Sequence, residues 1–370
     1  MTDKIGIAVI GTGFGQKVHI PGLQAHHRTE VVAVYHRDLE KAKTIAASHN
    51  IPHAFDQVDD ILAFPEVQAV AVSTPPFLHF EIAKKVLQAG KHLLLEKPTT
   101  LNVNEARHLY HLAREKDCIT AMDFEFRFVP AWQRFSELLT EKYVGQKRLI
   151  KIDWLVASRA NPNRPWNWYA QKDKGGGALG AVASHTFDYI RWLFGPVNRL
   201  CGQLSTAIAS RPDPTADNQL KPVDADDTGL ILLELADGTP CQFCLSSVSY
   251  QGRGHWIEVY GSEGTLVLGS DNQQDYVHGF RLWGSHAGED LAEIPIPERL
   301  EFPRVYPDGR IAPFVRVVDH WVNCIEKGRT LAPTLREGVY SQLLMDLTHE
   351  SNDTGTWVNV PNLDTFLAEE

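Results

Sequence analysis

A glycine-rich loop directly after the first apolar strand constrains the fold of this chain more than any other feature. The apolar run Ile5–Ile10 leads into Gly11-Thr12-Gly13-Phe14-Gly15, and a helical stretch begins near Gln16. Glycine at 11 permits a tight turn, and glycine at 13 lets the backbone approach a pyrophosphate on the helix N-terminus. The third glycine falls at 15 and not at 16, so the pattern departs from GxGxxG. Because a strand precedes the loop and a helix follows it, we interpret the loop as dinucleotide-binding. The alternative is a glycine-rich turn that binds no ligand.

Strands and helices then alternate along the first third of the chain. The predicted strands are Val31–Tyr35, Val67–Ser73 and His92–Leu95, and the predicted helices are Asp38–His49, Phe77–Ala89 and Val103–Lys116. Asn102 with Glu105 suits a helix start, and Gly90 suits a helix end. This alternation predicts a doubly wound parallel sheet, a Rossmann domain, over residues 1–123.

Beyond Asp123 the pattern predicts an α+β domain, residues 124–370, with a large, mainly antiparallel sheet. Asp237 and Gly238 mark a hairpin turn. Residues 210–227 and 270–308 lack apolar periodicity and are predicted to be loops. The predicted elements are a helix at 130–143, strands at 148–158, 230–235, 241–248, 256–260 and 265–268, a helix at 178–194 after three glycines, and helices at 314–327 and 334–350 that either cover the sheet or return to the first domain.

Composition excludes several classes of partner. The 370 residues carry a formal net charge of −10, which argues against nucleic acid or an anionic membrane surface as the main partner. The N-terminus runs straight into a strand without a secretory signal pattern, and we expect a cytoplasmic location. The five cysteines do not suggest a disulfide framework. Cys241 and Cys244 fall on opposite faces of a strand, so no metal site is predicted.

The end of the second strand favours NADP(H) over NAD(H). NAD-preferring folds usually place an acid here for the ribose, whereas this chain has His36 and Arg37, cationic partners for a 2′-phosphate. Asp38 argues for NAD(H), but we interpret it as the N-cap of the next helix.

Two further segments complete a recognisable pattern. Glu96-Lys97-Pro98 follows a strand end, after an earlier stretch of Ser73-Thr74-Pro75 and His79; Gly175-Gly176-Gly177 precedes His185 and Asp188. In order and spacing, over essentially the whole chain, this resembles the glucose-fructose oxidoreductase and inositol dehydrogenase (Gfo/Idh/MocA) family.

The resemblance implies roles for several of these residues. Lys97 would reach the nicotinamide and the substrate hydroxyl, Glu96 and Pro98 would shape a turn, often with a cis peptide, and Thr74, Pro75 and His79 would line the cofactor trough. The residue chemistry agrees, because ligands bind at the carboxyl ends of parallel strands and an ammonium polarises a carbonyl. The alternative is a solvated lysine.

His185 is the second catalytic candidate, because imidazole suits general acid or base work; a core histidine is the alternative. Relatives often carry an Asp four residues earlier, where this chain has Ala181, which leaves the orientation of His185 to another partner such as Asp188. Arg127 is predicted to contact cofactor or substrate, or to be a surface cation. Trp166 and Asp188 are predicted substrate contacts, although the aromatics near Trp168 also suit packing.

These observations predict reversible hydride transfer between nicotinamide C4 and a carbonyl or secondary alcohol of a sugar, polyol or related cyclic compound. One alternative is an NAD-dependent inositol or diol dehydrogenase. Another is a dinucleotide-sensing regulator without turnover, for which Ala181 is the hint. The resemblance further implies a homo-oligomer, a dimer through its sheets or a tetramer.

Overall fold

The computed structural model describes residues 4–272 and 278–368 and divides the chain into two compact units. The first unit contains Met1–Glu125 and Arg304–Gln342; the second contains Phe126–Pro303 and Leu343–Glu370. Among the described residues, no helix has the length and apolarity needed to cross a membrane.

The first unit contains a Rossmann fold. Its six strands are all parallel and lie in the order β3-β2-β1-β4-β5-β6. The order reverses between β1 and β4, and such a switch point is where open α/β sheets bind ligands. The elements up to residue 125 are β1 (Ile5–Ile10), α1 (Ile20–Ala25), β2 (Thr29–Tyr35), α2 (Leu39–His49), β3 (His53–Phe55), α3 (Val58–Ala63), β4 (Ala69–Val72), α4 (His79–Gln88), β5 (His92–Leu95), α5 (Val103–Glu115) and β6 (Thr120–Met122).

The capping predictions for this unit are confirmed. The Asn102 side chain accepts a hydrogen bond from the Glu105 backbone N–H at 3.0 Å, and Glu105 Oε2 accepts one from the Leu101 N–H at 3.2 Å. Gly90 has a φ of 68°, the left-handed conformation that ends α4. Strands β1 and β4 are fully buried, as expected for a parallel sheet covered on both faces.

The second unit is built on a nine-stranded sheet in the order β16-β15-β14-β13-β7-β12-β11-β8-β17, with a separate β9–β10 hairpin. Its pairs are antiparallel except β7 with β12, which is parallel. The elements between residues 126 and 303 are α6 (Pro130–Thr140), β7 (Lys147–Leu155), α7 (Ser184–Phe194), β8 (Val197–Ser205), β9 (Ser210–Asp213), β10 (Gln219–Pro222), β11 (Thr228–Leu235), β12 (Pro240–Ser246), β13 (Gly254–Gly261), β14 (Gly264–Ser270), β15 (Arg281–His286) and β16 (Ala292–Glu293).

The two predicted loops are wrong in part. Residues 210–227 contain the β9–β10 hairpin, and residues 270–308 contain β15, β16 and a short 3₁₀ turn at Glu298–Leu300. Pro212 and Pro222 argued against strands here, because proline within a strand is confined to edges. Both strands of a two-stranded sheet are edges, so the prolines are tolerated in this hairpin. Residues 273–277 of the second predicted loop lie outside the described residues.

The remaining elements are α8 (Ile311–Glu326), α9 (Leu335–Thr354), β17 (Val358–Asn359) and α10 (Leu363–Ala368). Helix α8 belongs to the first unit and packs on α1, where a side chain at Gly22 would collide with the Phe314 ring. The Trp321 indole donates to the Ile119 carbonyl at 3.4 Å. Residues 304–342 therefore complete the Rossmann unit, whereas the residues after them belong to the second unit.

Candidate active site

The glycine loop lies at the switch point of the Rossmann sheet. Gly11 has a φ of 114°, and a side chain there would collide with the Ser73–Thr74 backbone. A side chain at Gly15 would collide with the Ser73 hydroxyl. Gly13 differs, because a Cβ at this position would have no neighbour within 4 Å among the described residues beyond its own chain neighbours. Two glycines thus allow strands β1 and β4 to approach, and the third leaves open space for a ligand.

The helix after this loop begins with a wide turn. The Ile20 N–H bonds to the Gly15 carbonyl, a π-type turn over Gly15–His19, before α1 continues. Such turns occur frequently at functional sites. Phe14 contacts the His19 ring edge-on at 5.6 Å, and the Arg310 guanidinium lies 5.0 Å from the Phe14 ring centre. Thr12 is half-buried in the loop.

Asp38 is confirmed as a helix N-cap. Its Oδ1 accepts hydrogen bonds from the Glu40 and Lys41 backbone N–H groups at 3.1 and 3.2 Å. His36 Nδ1 accepts from the Asp38 N–H at 3.0 Å, whereas Arg37 is exposed and has no ion-pair partner in the described part of the chain. The carboxylate at this strand end is therefore occupied with α2, and the guanidinium is available.

His79 hydrogen-bonds to the backbone of the segment after β4 and to the backbone of the turn that carries Lys97. Its Nδ1 lies 2.8 Å from the Pro98 carbonyl and its Nε2 lies 2.7 Å from the Thr74 carbonyl. Burial lowers the pKa of His79, so the neutral ring predominates and donates to one carbonyl at a time. His79 is fully buried and links the predicted trough residues to the turn that carries Lys97.

Within the described residues, the Thr74 hydroxyl is buried and has no hydrogen-bond partner. Buried hydroxyls almost always have one. Together with the open space at Gly13, this orphaned group fits a dinucleotide lying across the ends of β1 and β4.

Three buried ionisable groups meet at the carboxyl edge of the sheet. His19 Nε2 lies 3.0 Å from Glu96 Oε1 and 3.5 Å from Asp123 Oδ2. Glu96 directly follows β5, Asp123 directly follows β6, and His19 belongs to the helix after β1. Glu96 Oε2 also accepts a hydrogen bond from the Lys97 backbone N–H at 3.2 Å. We call His19, Glu96 and Asp123 the buried triad; it adjoins the cis peptide between Lys97 and Pro98.

The charges of the buried triad follow from its geometry. Burial would lower the pKa of His19, but hydrogen bonds and charge from Asp123 and Glu96 raise it to about 9. Burial opposes ionisation of Glu96, yet His19 and the Lys97 charge lower its pKa to about 2. Burial, followed by the Glu96 charge, raises the pKa of Asp123 well above its ordinary range. At neutral pH the triad therefore contains an imidazolium at His19 and a carboxylate at Glu96, while burial and the Glu96 charge favour proton binding by Asp123.

The predicted residues of the second unit gather on α7. This helix is also preceded by a π-type turn, Leu179–Ala183, in which the Ser184 N–H bonds to the Leu179 carbonyl. Asp226 caps the run: its Oδ2 accepts from the Leu179 N–H at 2.7 Å, and its backbone carbonyl accepts from the Ala178 N–H at 2.8 Å. Burial raises the pKa of Asp226 to about 6. A side chain at Gly177 would collide with Asp226, which explains a glycine there.

Asp188 faces Arg127. Arg127 Nε and Nη2 donate to the two Asp188 oxygens at 2.8 and 2.6 Å, and the pair is almost completely buried. The alternative of Arg127 as an ordinary surface cation is therefore wrong. A bidentate buried pair orients both side chains strongly, so Asp188 stands one helical turn from His185 with its carboxylate directed by Arg127.

The His185 ring, 5% exposed, lies in an aromatic cluster. Phe126 contacts it edge-on at 4.9 Å, and Trp154 lies 6.3 Å away. The cluster extends to His255, which stacks on Trp154 at 3.9 Å and shares a 3.0 Å hydrogen bond with the Tyr189 hydroxyl. Burial lowers the pKa of His255 to about 3, so this second histidine is neutral.

Trp166 is docked on the β9–β10 hairpin. Its backbone N–H donates to the Pro212 carbonyl at 2.7 Å, and its indole N–H donates to the Pro222 carbonyl at 2.9 Å. Lys221 lies 4.6 Å from the ring centre. One face and one edge of Trp166 are thus used for packing.

Sequence reasoning missed His19, Asp123, Asp226 and His255. The first two immediately follow the phosphate loop and a strand end, where polar residues predict ligand contact but equally predict turns. Asp226 lies inside a predicted loop, and its partner helix is 47 positions away. A buried His255 carries no distinguishing local signal, because the packed rings come from distant elements.

A parallel sheet of this order, with a glycine loop at its switch point and an acid–base network beside a lysine, defines a dinucleotide-binding oxidoreductase. Residues 5–124 match the family described as "Oxidoreductase family, NAD-binding Rossmann fold", and residues 136–360 match "Oxidoreductase family, C-terminal alpha/beta domain". The chain belongs to the Gfo/Idh/MocA oxidoreductase family, which confirms the resemblance seen in the sequence.

Several relatives extend this result. An uncharacterized oxidoreductase of Synechocystis sp. is 59% identical over 368 residues, covering 100% of this chain and 99% of its own. Levoglucosan dehydrogenase of Pseudarthrobacter phenanthrenivorans is 25% identical over 402 residues, covering 98% and 99%. A levoglucosan dehydrogenase structure in complex with NADH and L-sorbose superposes with a TM-score of 0.87 at 23% identity, covering 98% of this chain and 100% of that one.

Proposed function

We propose that this oxidoreductase transfers a hydride reversibly between nicotinamide C4 and a carbonyl or secondary alcohol carbon of a sugar, polyol or related cyclic compound. The observation that carries the proposal is the Lys97 turn: a lysine at the carboxyl end of β5, with its backbone held by the buried triad. The similarity to levoglucosan dehydrogenase supports a sugar-type substrate.

A bound nicotinamide dinucleotide would supply or accept the hydride. Lys97 would orient the substrate oxygen and polarise it, because an ammonium stabilises negative charge that develops on a carbonyl during reduction. His185 would donate the proton to that oxygen in reduction and remove it in oxidation. Gly13 and Thr74 would bind the dinucleotide, together with the rest of the glycine loop after β1 and the neighbours of Thr74 after β4.

The test of this assignment is Lys97→Met, which keeps the length of the side chain and removes its charge. We expect a loss of turnover of about 10²-fold or more, measured as nicotinamide absorbance on a substrate identified from a sugar and polyol panel. Lys41→Met, which removes an exposed lysine of α2, serves as the matched control. Wild-type turnover by Lys97→Met would overturn the role of Lys97.

We further propose NADP(H) as the preferred cofactor. The support is that Asp38 is occupied as a helix cap while the Arg37 guanidinium is available for a 2′-phosphate. Dissociation constants for NADP⁺ and NAD⁺ test this directly, and Arg37→Asp should reverse the preference. An unchanged ratio in that variant would show that Arg37 does not read the phosphate.

An NAD-dependent diol dehydrogenase is the second candidate. A relative described as trans-1,2-dihydrobenzene-1,2-diol dehydrogenase from Xenopus tropicalis, 26% identical over 243 residues, favours it. Oxidation of vicinal diols with NAD⁺, at a rate above that of sugars with NADP⁺, would select this function. A dinucleotide-sensing regulator predicts tight cofactor binding without hydride transfer to any carbonyl of the panel.

We also propose a homodimer formed through the nine-stranded sheet. Leu230 and Leu232 point outward from β11 and are each 50% exposed, while Leu149 and Tyr260 are exposed on β7 and β13. Burying such an apolar face is the usual driving force for subunit association. Light scattering measures the mass, and a monomer would contradict the proposal.

The domain boundary near residue 123 and the cytoplasmic location remain predictions.

A further inference from the structure

Four cations gather where the loop after β7 meets the β9–β10 hairpin. We call Arg159, Arg164, Arg211 and Lys221 the basic patch; all four belong to the second unit. Arg211 and Lys221 are directly opposite each other in the β9–β10 pairing. Like charges directly across a hairpin repel, and of these two cations only Lys221 has a carboxylate partner, Asp213, among the described residues.

Arg211 is the buried member of the basic patch. Its residue is 7% exposed, and its Nη1 and Nη2 donate to the Asn161 and Arg159 carbonyls at 2.8 and 2.7 Å. These bonds satisfy donors without neutralising the charge. A buried charge is normally paired, yet within the described chain Arg211 forms no ion pair.

Arg159 and Arg164 add two more unpaired charges. The Arg159 guanidinium lies 3.8 Å from the Tyr169 ring centre, and Arg164 Nη1 donates to the Ser158 carbonyl at 2.9 Å. Neither has a carboxylate partner in the part of the chain that the structure describes. Arg164 and Arg211 both donate to backbone carbonyls of residues 158–159, so the three arginines converge on one short stretch of the chain.

The acids nearby do not balance this charge. Asp213 is bonded to Lys221, and its other contacts are with Thr215. Asp227 carries a negative charge near Arg211 but forms no ion pair with it, and its carboxylate accepts backbone N–H bonds from Ala207 and Ile208. The four cations therefore exceed the two carboxylates by two positive charges, in a chain whose net charge is −10.

The basic patch adjoins the segment assigned to the substrate. Trp166 hydrogen-bonds to the same hairpin and lies under Lys221. The Tyr169 carbonyl, on the residue that stacks with Arg159, accepts from the Gly177 N–H at 3.0 Å, at the start of the run that leads to His185. Contacts through Tyr169 and Gly177 thus connect the basic patch to α7, the helix that carries His185.

We propose that the basic patch binds a carboxylate or phosphate group of the substrate, so that the physiological substrate is an anionic sugar derivative and not a neutral sugar. Guanidinium groups recognise these anions through paired hydrogen bonds. Arg164, the most exposed member, would contact the anion from the solvent side, while Arg211 and Arg159 would contact it from the more buried side. This inference rests on the proposed function and on the prediction that Trp166 contacts the substrate.

Calorimetric titration tests the anion site without requiring turnover. The full chain is saturated with NADP⁺, so that the phosphate loop is filled, and titrated with sodium sulfate against sodium chloride of equal ionic strength. We expect wild type to bind sulfate and Arg164→Gln to bind it about tenfold more weakly. Arg148→Gln, which removes another exposed arginine of the same unit, is the matched control and should leave sulfate binding unchanged. Equal binding by wild type and Arg164→Gln overturns the proposal.

A second titration distinguishes a substrate group from a free inorganic ion. D-glucuronate and D-glucose differ by one carboxylate, and we expect wild type to bind the former at least about tenfold more tightly, with the preference lost in Arg164→Gln. Sulfate binding without a preference for glucuronate would reduce the site to one for inorganic anions and overturn the substrate assignment. Because neither titration measures hydride transfer, failure of the proposed function appears separately, as absent turnover in the presence of intact binding.

Discussion

His19 in the first unit and His255 in the second are both buried, but their neighbours drive their charges in opposite directions. His19 lies between two carboxyl groups and its pKa is raised to about 9. His255 lies among aromatic rings, with a Tyr189 hydroxyl as its hydrogen-bond partner, and its pKa is lowered to about 3. Burial favours the neutral form in both, and only an adjacent carboxylate reverses it.

The comparison separates two ways of positioning the side chains that we propose to be catalytic, Lys97 and His185. In the Rossmann unit, charge and hydrogen bonds fix the turn that carries Lys97. In the second unit, neutral rings surround His185, since Phe126 contacts both His185 and His255. A charged network is directional but costly to break, whereas ring packing is less directional and tolerates substitutions of similar shape.

The largest effect is expected for Glu96→Gln. This variant leaves the His19 imidazolium without its main counter-ion, and removing one partner of a buried ion pair costs about 4 kcal/mol. Urea unfolding at pH 7 measures the change in the free energy of unfolding. Glu81→Gln removes an exposed glutamate of the same unit and should stay within about 0.5 kcal/mol of wild type. An equally small change for Glu96→Gln would show that the triad is not charged as described.

The Rossmann strands were predictable because each is a short apolar run bounded by turn residues. Residues 5–10 and 92–95 were predicted with their observed bounds, and α2 and α5 differ from prediction by one residue. β3 and β6 were missed, since three residues carry too little pattern to register as strands. β8 was missed because three exposed polar residues, Asn198, Arg199 and Gln203, interrupt the apolar alternation.

The candidate site was predictable only where function imposes a local motif. The glycine loop, the Lys97 turn and His185 all lie within such motifs. The buried triad could not be assembled from sequence, because its members are separated by up to 104 positions and meet through strand order. The parallel pairing of β7 with β12, about 90 residues apart in an otherwise antiparallel sheet, is equally invisible to local patterns.

A pH profile of stability should distinguish the charged histidine from the neutral one. The His19 pKa is about 9 when folded and 6.5 when unfolded. Its contribution is therefore complete below pH 6.5 and is lost as the pH rises through 9, about 3 kcal/mol in all. His255 has the opposite sign, and its contribution changes only between pH 3 and 6.5.

His19→Gln is the comparison that isolates this effect. Buried thiols such as Cys241, whose pKa burial raises above its ordinary range, also reduce stability at high pH, and they do so equally in both proteins. Subtracting the variant profile from the wild-type profile should leave a decline between pH 6.5 and 9. A flat difference across this window would contradict a protonated His19.

The smallest effect tests the neutral cluster through its 3.0 Å hydrogen bond between Tyr189 and His255. His255→Phe keeps a ring against Trp154 and leaves the Tyr189 hydroxyl without this partner. Tyr189→Phe keeps the other ring and leaves His255 Nε2 without the hydroxyl. Each should cost about 2 kcal/mol, because a buried polar group becomes unsatisfied. The double variant should cost clearly less than the sum, since both polar groups are then gone. Urea unfolding of the four proteins at pH 7 completes the cycle, and additive losses would mean that the two side chains are not coupled. The coupling should also be the same at pH 6.5 and pH 9, in contrast to the His19 effect, because His255 stays neutral throughout that range.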